Sequence, residues 1–349
     1  MKTVITAVNS TTPVGTDALA TAHSVRTGMA RIEESSFWDR ARLPVDWSRI
    51  EYLSDYEVNL ARQQVVGNFC LDTLIEQLSE QGRRFENLYL LVGLAHPDRP
   101  GPAYAAKDHA LLDEWCRKLA PLANAVSAEP FQQGHAAVAH AADRARQILA
   151  DQPESACLIG GYDSLLDPQT LQFFSKADRL LSEAYGRQHG FAPGEGCAFF
   201  LVETEERARR AETPILAELA GAGHGFEPGS IVSDQPNTAK ALTDCCRAVL
   251  EAADPEPVIA QVYSDLNGEY FRTKEWNYVS IRLFGQRDEL PVHHPAEYYG
   301  TVGAAGGAVL ANLATIGYQN GWIQGDSLIF CSDDHGDRGA ILLRPAPTP

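Results

Sequence analysis

The side chains able to make or break bonds gather at a few places in this sequence. Cys331-Ser332-Asp333-Asp334-His335 sets a thiol, two carboxylates and an imidazole at the end of one apolar run, and Ser264-Asp265 ends another. Strand ends of this kind are where α/β proteins place functional groups. A carboxylate beside an imidazole suits proton transfer, and a thiol suits nucleophilic attack. The other clusters read as structure. His293-His294 looks like a metal pair, but only Glu297 is near and adjacent residues rarely share one ion, so a polar loop is expected. Cys245-Cys246 fall inside a helical pattern and point in different directions, as core cysteines do. Gly300-x-x-Gly303-x-x-Gly306-Gly307 lacks the G-x-G-x-x-G spacing of a dinucleotide site, and its small residues predict a closely packed buried helix. There is no Walker-type lysine pattern and no Gly-x-Ser-x-Gly elbow. No cofactor and no metal are expected.

These groups need elements to carry them. TVITAV, ended by Asn9-Ser10 and the turn from Pro13 to Gly15, reads as a buried strand, and 16–33 as a helix after it. Residues 34–55 show no period and read as loop, 57–81 as a long helix, 88–93 (LYLLVG) as a strand, and the proline-rich 96–104 as irregular. From Gly134 to Ala150, Val138, Ala141, Ala142, Ala145 and Ile148 share one helical face, which feeds a strand ending at Gly160-Gly161-Tyr162-Asp163-Ser164. A turn at 190–196 leads into a strand over 197–203. The second half restarts the pattern: a helix over 238–252, a strand over 257–263, a small-residue helix over 300–318 and a strand over 327–331. On this reading Asp265 and Asp334 follow equivalent strands of the two halves and converge on one pocket. Alternating strands and helices imply parallel sheets covered by helices.

Composition excludes several partners. The 349 residues carry 29 Lys+Arg against 46 Asp+Glu, a net charge of −17. Phosphate contacts need clustered cations, so nucleic acid is excluded, and an anionic membrane surface is disfavoured for the same reason. No apolar stretch approaches the roughly 18 to 20 residues that span a bilayer, and the N-terminus lacks a signal-peptide pattern. Seven cysteines, an odd number, fit a reducing compartment. A cytoplasmic protein is expected.

The segment CLIGGYDSLL…GRQHGFAPGEGCAFFLVE, from Cys157 to Glu203, resembles the β-ketoacyl synthase family of the thiolase superfamily. The matching residues are Gly160, Gly161, Ser164, Gly190, Phe191, Gly194, Glu195, Gly196 and Glu203. TVITAVNSTTPVG is similar to the family's first strand and turn, PILAELAGAGHG from Pro214 to a later strand, and Gly303-Ala304-Ala305-Gly306 to its C-terminal helix. The resemblance implies an α/β fold of the thiolase-like five-layered αβαβα type, built from two pseudo-duplicated halves. These are expected at 1–211, similar to the family's N-terminal domain, and 212–349. It also implies a homodimer or a heterodimer.

The resemblance implies a cysteine at the start of a buried helix and two assisting histidines. At the cysteine's place this chain has Phe131, or Gln132 in a register shifted by one; Asp265 stands for the first histidine and Gly300 for the second. No cysteine lies between Cys116 and Cys157, and Cys157 falls inside a strand. No catalytic residue is therefore expected, and Gln133, His135, Asp334 and His335 line what remains of the pocket. The expected function is that of a catalytically degenerate synthase-like protein that acts through binding, as partner subunit, scaffold or adaptor. One alternative is an active acyltransferase or 3-oxoacyl-acyl-carrier-protein synthase with relocated groups, using Cys331, or His335 with Asp334 or Asp265. Another is a thiolase-like accessory protein of type VI secretion. An acyl carrier protein, itself acidic, is disfavoured as a partner by the −17 charge. A local patch from Arg83, Arg84, Arg207, Arg209 and Arg210 would offset that.

Overall fold

The fold comes from a computed structural model, which describes residues 2–53, 60–101, 109–182, 190–285 and 290–346. The start of the expected helix at 57–59, residues 102–104 of the irregular loop and residues 186–189 of the family-like segment lie outside these. Chain order in the first half is β1 (Thr3–Thr11), α1 (Ala18–Arg26), β2 (Glu33–Trp38), β3 (Pro44–Trp47), α2 (Leu60–Glu80), β4 (Phe85–Gly93) and α3 (His109–Leu119). It continues with β5 (Ala123–Phe131), α4 (Ala137–Asp151), β6 (Ala156–Ser164), α5 (Pro168–Lys176), β7 (Glu195–Thr204) and α6 (Glu205–Arg210). The second half holds β8 (Ala217–Phe226), α7 (Lys240–Glu251), β9 (Ile259–Ser264), α8 (Tyr270–Phe284) and β10 (Val292–His293). It ends with α9 (Ala296–Tyr299), α10 (Gly306–Gln319), β11 (Asp326–Ser332) and β12 (Asp337–Pro345).

The repeat is explicit in the strand pairing. The first half runs β1-β7-β6-β4-β5 and the second β8-β12-β11-β9-β10. In each, the first two pairings are antiparallel and the last two parallel. β1 and β8 join the halves through Val4 with Glu218 and Ile5 with Ala217. Asp265 and Asp334 thus follow β9 and β11, parallel neighbours within one half, and not equivalent strands of two halves as the sequence pattern suggests. The equivalent of β11 is β6, and the true counterpart of residue 333 is Asp163.

Strand alternation sorts the core into layers. Leu91, Cys157, Ile159, Ala198, Phe200 and Val202 face inward, with Ile329, Cys331, Ile341 and Leu343 of the other half, onto α4 and α10. Their neighbours Leu88, Leu90, Val92, Leu158, Phe199 and Leu201 face outward onto α2 and α3. Val262, Leu328, Phe330, Ala340 and Leu342 do the same beneath α7 and α8. The result is five layers with two small-residue helices in the middle; a Cβ at Gly307 of α10 would stand 2.9 Å from Val138 Cβ of α4.

Two expectations change locally. Helix α1 stops at Arg26 because Gly28 turns at φ +74°. The expected loop at 34–55 contains the β2–β3 hairpin, whose polar strand (EESSFW) has no buried face to give it a period. No helix among the described residues is long and apolar enough to cross a membrane.

Both central helices begin alike. Gly134 and Gly303 each have φ +52° and open a one-turn 3-10 segment before α4 and α10. A Cβ on Gly303 would lie 2.0 Å from Asp163 Oδ2, and one on Gly134 would lie 2.1 Å from Asp333 Oδ2. The carboxylate uses the space, because Asp163 Oδ2 accepts from the Ala304 N–H at 2.9 Å and Asp333 Oδ2 from the His135 N–H at 3.4 Å. Gly303→Ala combines a left-handed backbone with this clash and is expected to lower stability by about 2–5 kcal/mol in urea denaturation.

Candidate functional site

The sequence-predicted residues divide into two groups in space. Phe131 ends β5, half-buried against the inner core, with Gln132 and Gln133 following it. The Gln133 Oε1 atom is buried without a hydrogen-bond partner. His135, Asp265 and Gly300 instead share a small cavity with Tyr299, Val302 and Gly303. Its volume of about 20 Å³ accommodates about one water. There His135 Nδ1 lies 3.2 Å from Asp265 Oδ2. Gly300 has φ +72°, and a Cβ there would meet Ser48 Cβ at 2.9 Å and the Ala192 carbonyl at 3.0 Å, so the position has no room for a side chain.

Around that cavity stands a buried lattice of charge. Arg272, on the first turn of α8, donates to Asp265 Oδ2 at 2.9 Å, to Asp334 Oδ1 at 2.9 Å and to the Ser332 carbonyl. Arg179 forks onto Asp334 at 2.7 and 3.0 Å and onto Glu269 at 2.6 and 2.9 Å. All five side chains are buried. Next to them, Arg338 donates to Glu275, which also accepts from Ser332 Oγ at 2.8 Å. Burial opposes charge on Asp334, but Arg179 and Arg272 outweigh it and hold the carboxyl well below the usual carboxylate range. Asp334 therefore serves as an ionic anchor.

His335 pairs with Asp333, its Nδ1 3.4 Å from Oδ1, and its ring stacks on His96 at 4.0 Å between centroids. Burial and the neighbouring His335 push the His96 imidazole below its ordinary value. Burial disfavours the thiolate at several cysteines. Burial drives Cys331 well above its ordinary value, and it pushes Cys157 and Cys245 up to about 12. His293 lies on β10 against Tyr263 and Gln261 rather than in a ligand set.

The conspicuous glutamates of the 157–203 segment are structural. Glu195 accepts from the Arg62 guanidinium and the Ile50 N–H, and Glu203 from Thr6 Oγ1, Arg83 and Arg207. Larger concavities lie elsewhere: about 650 Å³ beside Gly223, Gly225 and Cys245, and about 800 Å³ beside Val258 and Phe284. Arg179, Arg272, Glu269 and His96 are absent from the sequence reading. Glu269 and Arg272 are visible there only as an i,i+3 pair, indistinguishable from a solvated helix face.

The comparisons agree with the fold. The model of the β-ketoacyl synthase N-terminal domain matches residues 134–208. A 3-oxoacyl-[acyl-carrier-protein] synthase homolog of Saccharomyces cerevisiae is 29% identical over 125 residues, 33% of this chain and 28% of the relative, so the match spans little more than a quarter of that protein. Among solved structures, a chain of a type II PKS acyl-carrier protein in complex with its ketosynthase superposes with a TM-score of 0.80 at 16% identity, covering 99% of both chains. The ketosynthase from module 6 of the bacillaene synthase of Bacillus subtilis gives 0.79 at 12% identity, over 100% of this chain and 73% of that one. The ishigamide ketosynthase/chain length factor gives 0.79 at 13%, over 99% of each.

Removing Arg272 leaves Asp265 and Asp334 short of a cation in a buried setting. Arg272→Ala is expected to cost about 3–5 kcal/mol in urea denaturation, whereas Glu251→Gln on the exposed face of α7 should shift stability by less than about 0.5 kcal/mol.

Proposed function

We propose that this β-ketoacyl synthase-like protein of the thiolase fold acts by binding, as a partner subunit, scaffold or adaptor, and has given up acyl transfer. The observation that carries the reading is the Arg179–Arg272 lattice with Asp265, Glu269 and Asp334, which engages Asp265 at the edge of a cavity with room for about one water. Gly300 supports it, since the position matched to the second histidine tolerates no side chain. The nucleophile's place supports it as well, since neither Phe131 nor, in the shifted register, Gln132 can form an acyl thioester.

The arginine patch also argues against an acyl carrier protein as the partner. Arg83 and Arg207 both engage the buried Glu203, Arg209 pairs with Glu205, and Arg210 pairs with Glu154. Little of that charge is left to meet an acidic domain. A second subunit has a better surface in β5, the last strand of its sheet, with Asn124, Ala125 and Ser127 exposed and one edge unpaired among the described residues. Such an edge is a template for strand addition. The solved relatives include a ketosynthase in complex with its chain length factor.

One observation favours a second reading, an acyltransferase with relocated groups: the His135–Asp265 contact at 3.2 Å is a carboxylate–imidazole pair beside the cavity. Intact-mass analysis decides between the two. After incubation with acyl-thioesters and a loaded carrier protein, the binding reading expects no stoichiometric acyl adduct, and an adduct at any residue overturns it. For the partner surface, light scattering should find a dimer that Ser127→Arg converts to a monomer with unchanged secondary structure; a monomeric wild type would exclude self-pairing.

A further inference from the structure

Asp163 and Asp333 hold equivalent places in the two halves, yet they are neutralised differently. Arg99 forks onto Asp163 with two bonds of 2.7 Å. Asp333 is 5% exposed, and among the described residues its carboxylate pairs with no arginine or lysine. It accepts from the backbone N–H of His135 at 3.4 Å and of His335 at 3.1 Å, and it faces the His335 ring. The loop after β4 serves both carboxylates. Its Arg99 reaches Asp163, while its His96 lies flat against His335, the rings 4.0 Å apart and 6° from parallel. His96, Asp333 and His335 each bring one ligand atom within 4.8 Å of the others.

We propose that His96, Asp333 and His335 bind a divalent transition metal, Zn²⁺ by preference, in a two-histidine, one-carboxylate site that ties the first half of the fold to the second. Two imidazoles with one carboxylate suit zinc better than magnesium or calcium, which favour all-oxygen shells. The fourth position is left to water. Tetrahedral zinc holds its ligand atoms roughly 3.3 Å apart and lies in the plane of each imidazole, so binding draws the donors inward by up to roughly 1.5 Å and turns one imidazole out of the parallel stack. The turn between β11 and β12 has Gly336 at φ +119° to accommodate that movement. Both imidazoles keep a solvent rim, with 17% and 14% of their side-chain surface exposed, which admits an ion. The His135 N–H on Asp333 Oδ2 supplies an outer-shell bond that orients the carboxylate. The ion competes with the bond from the Asp98 N–H to His96 Nδ1 at 3.2 Å, with that from the His335 N–H to Asp333 Oδ1 at 3.1 Å and with the His335 Nδ1–Asp333 Oδ1 contact at 3.4 Å. This inference goes beyond the binding function above and stands apart from it.

The test is zinc titration of the metal-stripped full chain against a chromogenic chelator, with cobalt(II) absorption and thermal unfolding as second readouts. One equivalent is expected to bind, to give tetrahedral cobalt bands and to raise the unfolding temperature. His96→Ala and His335→Ala should each weaken binding by more than about 100-fold. His224→Ala, in the other stacked histidine pair with His140, should leave it unchanged. Absence of stoichiometric binding overturns the proposal, as does equal binding by the His96 and His335 variants, or an equal loss in His224→Ala.

Discussion

The structure turns on a reciprocal exchange of hydrogen bonds between its halves. A carboxylate at the end of β6 receives the first N–H groups of the C-terminal central helix, and its counterpart after β11 receives those of the N-terminal one. An ionised carboxylate this deep is tolerated only with partners on its oxygens. The requirement fixes how far each central helix extends and removes any side chain from Gly134 and Gly303. It also places the two helix starts side by side at the midplane, and the candidate site is built around them.

With that frame in place, the chemistry of the pocket depends on which charges fill it. Arg179 and Arg272 convert three carboxylates into a salt lattice, and the conversion is self-reinforcing because each buried ion makes the removal of its neighbours more costly. A carboxylate such as that of Asp334, held by the Arg179 fork and a further Arg272 bond, has little freedom to exchange protons. The same packing makes the region rigid. Asp333 stands at the margin of the lattice, where imidazoles take the place of arginines.

Much of the fold is legible in the sequence, for a physical reason. Strands buried on both faces, such as LYLLVG and the run from Cys197, must be continuously apolar, and the small-residue helices must pack between sheets. β5 shows no such run, because an edge strand with one open side can carry Asn124, Ser127 and Glu129. Helix α8 intersperses apolar and polar residues without a clear period, although it supplies Arg272. Asp265, Gly300 and His135, which line one small cavity, are named from the sequence as pocket candidates. Arg179 and His96 are not, since their roles depend on contacts with residues far away in sequence. The supposed equivalence of Asp265 and Asp334 fails because local pattern identifies a strand end without revealing its neighbours in the sheet.

Strand β1 is hydrogen-bonded to both β7 and β8, which lie far downstream of it in the chain, so its pairings wait long after it is made. It leaves the ribosome well before either partner exists. Until β7 is made, its apolar residues Val4, Ile5 and Val8 have no native strand beside them, and the side that meets Ala217 and Glu218 stays open longer still. Contacts of such sequence separation form slowly and leave strand edges open to wrong partners. Synthesis of this protein therefore has a long vulnerable interval at its beginning, when assistance from a chaperone would matter most.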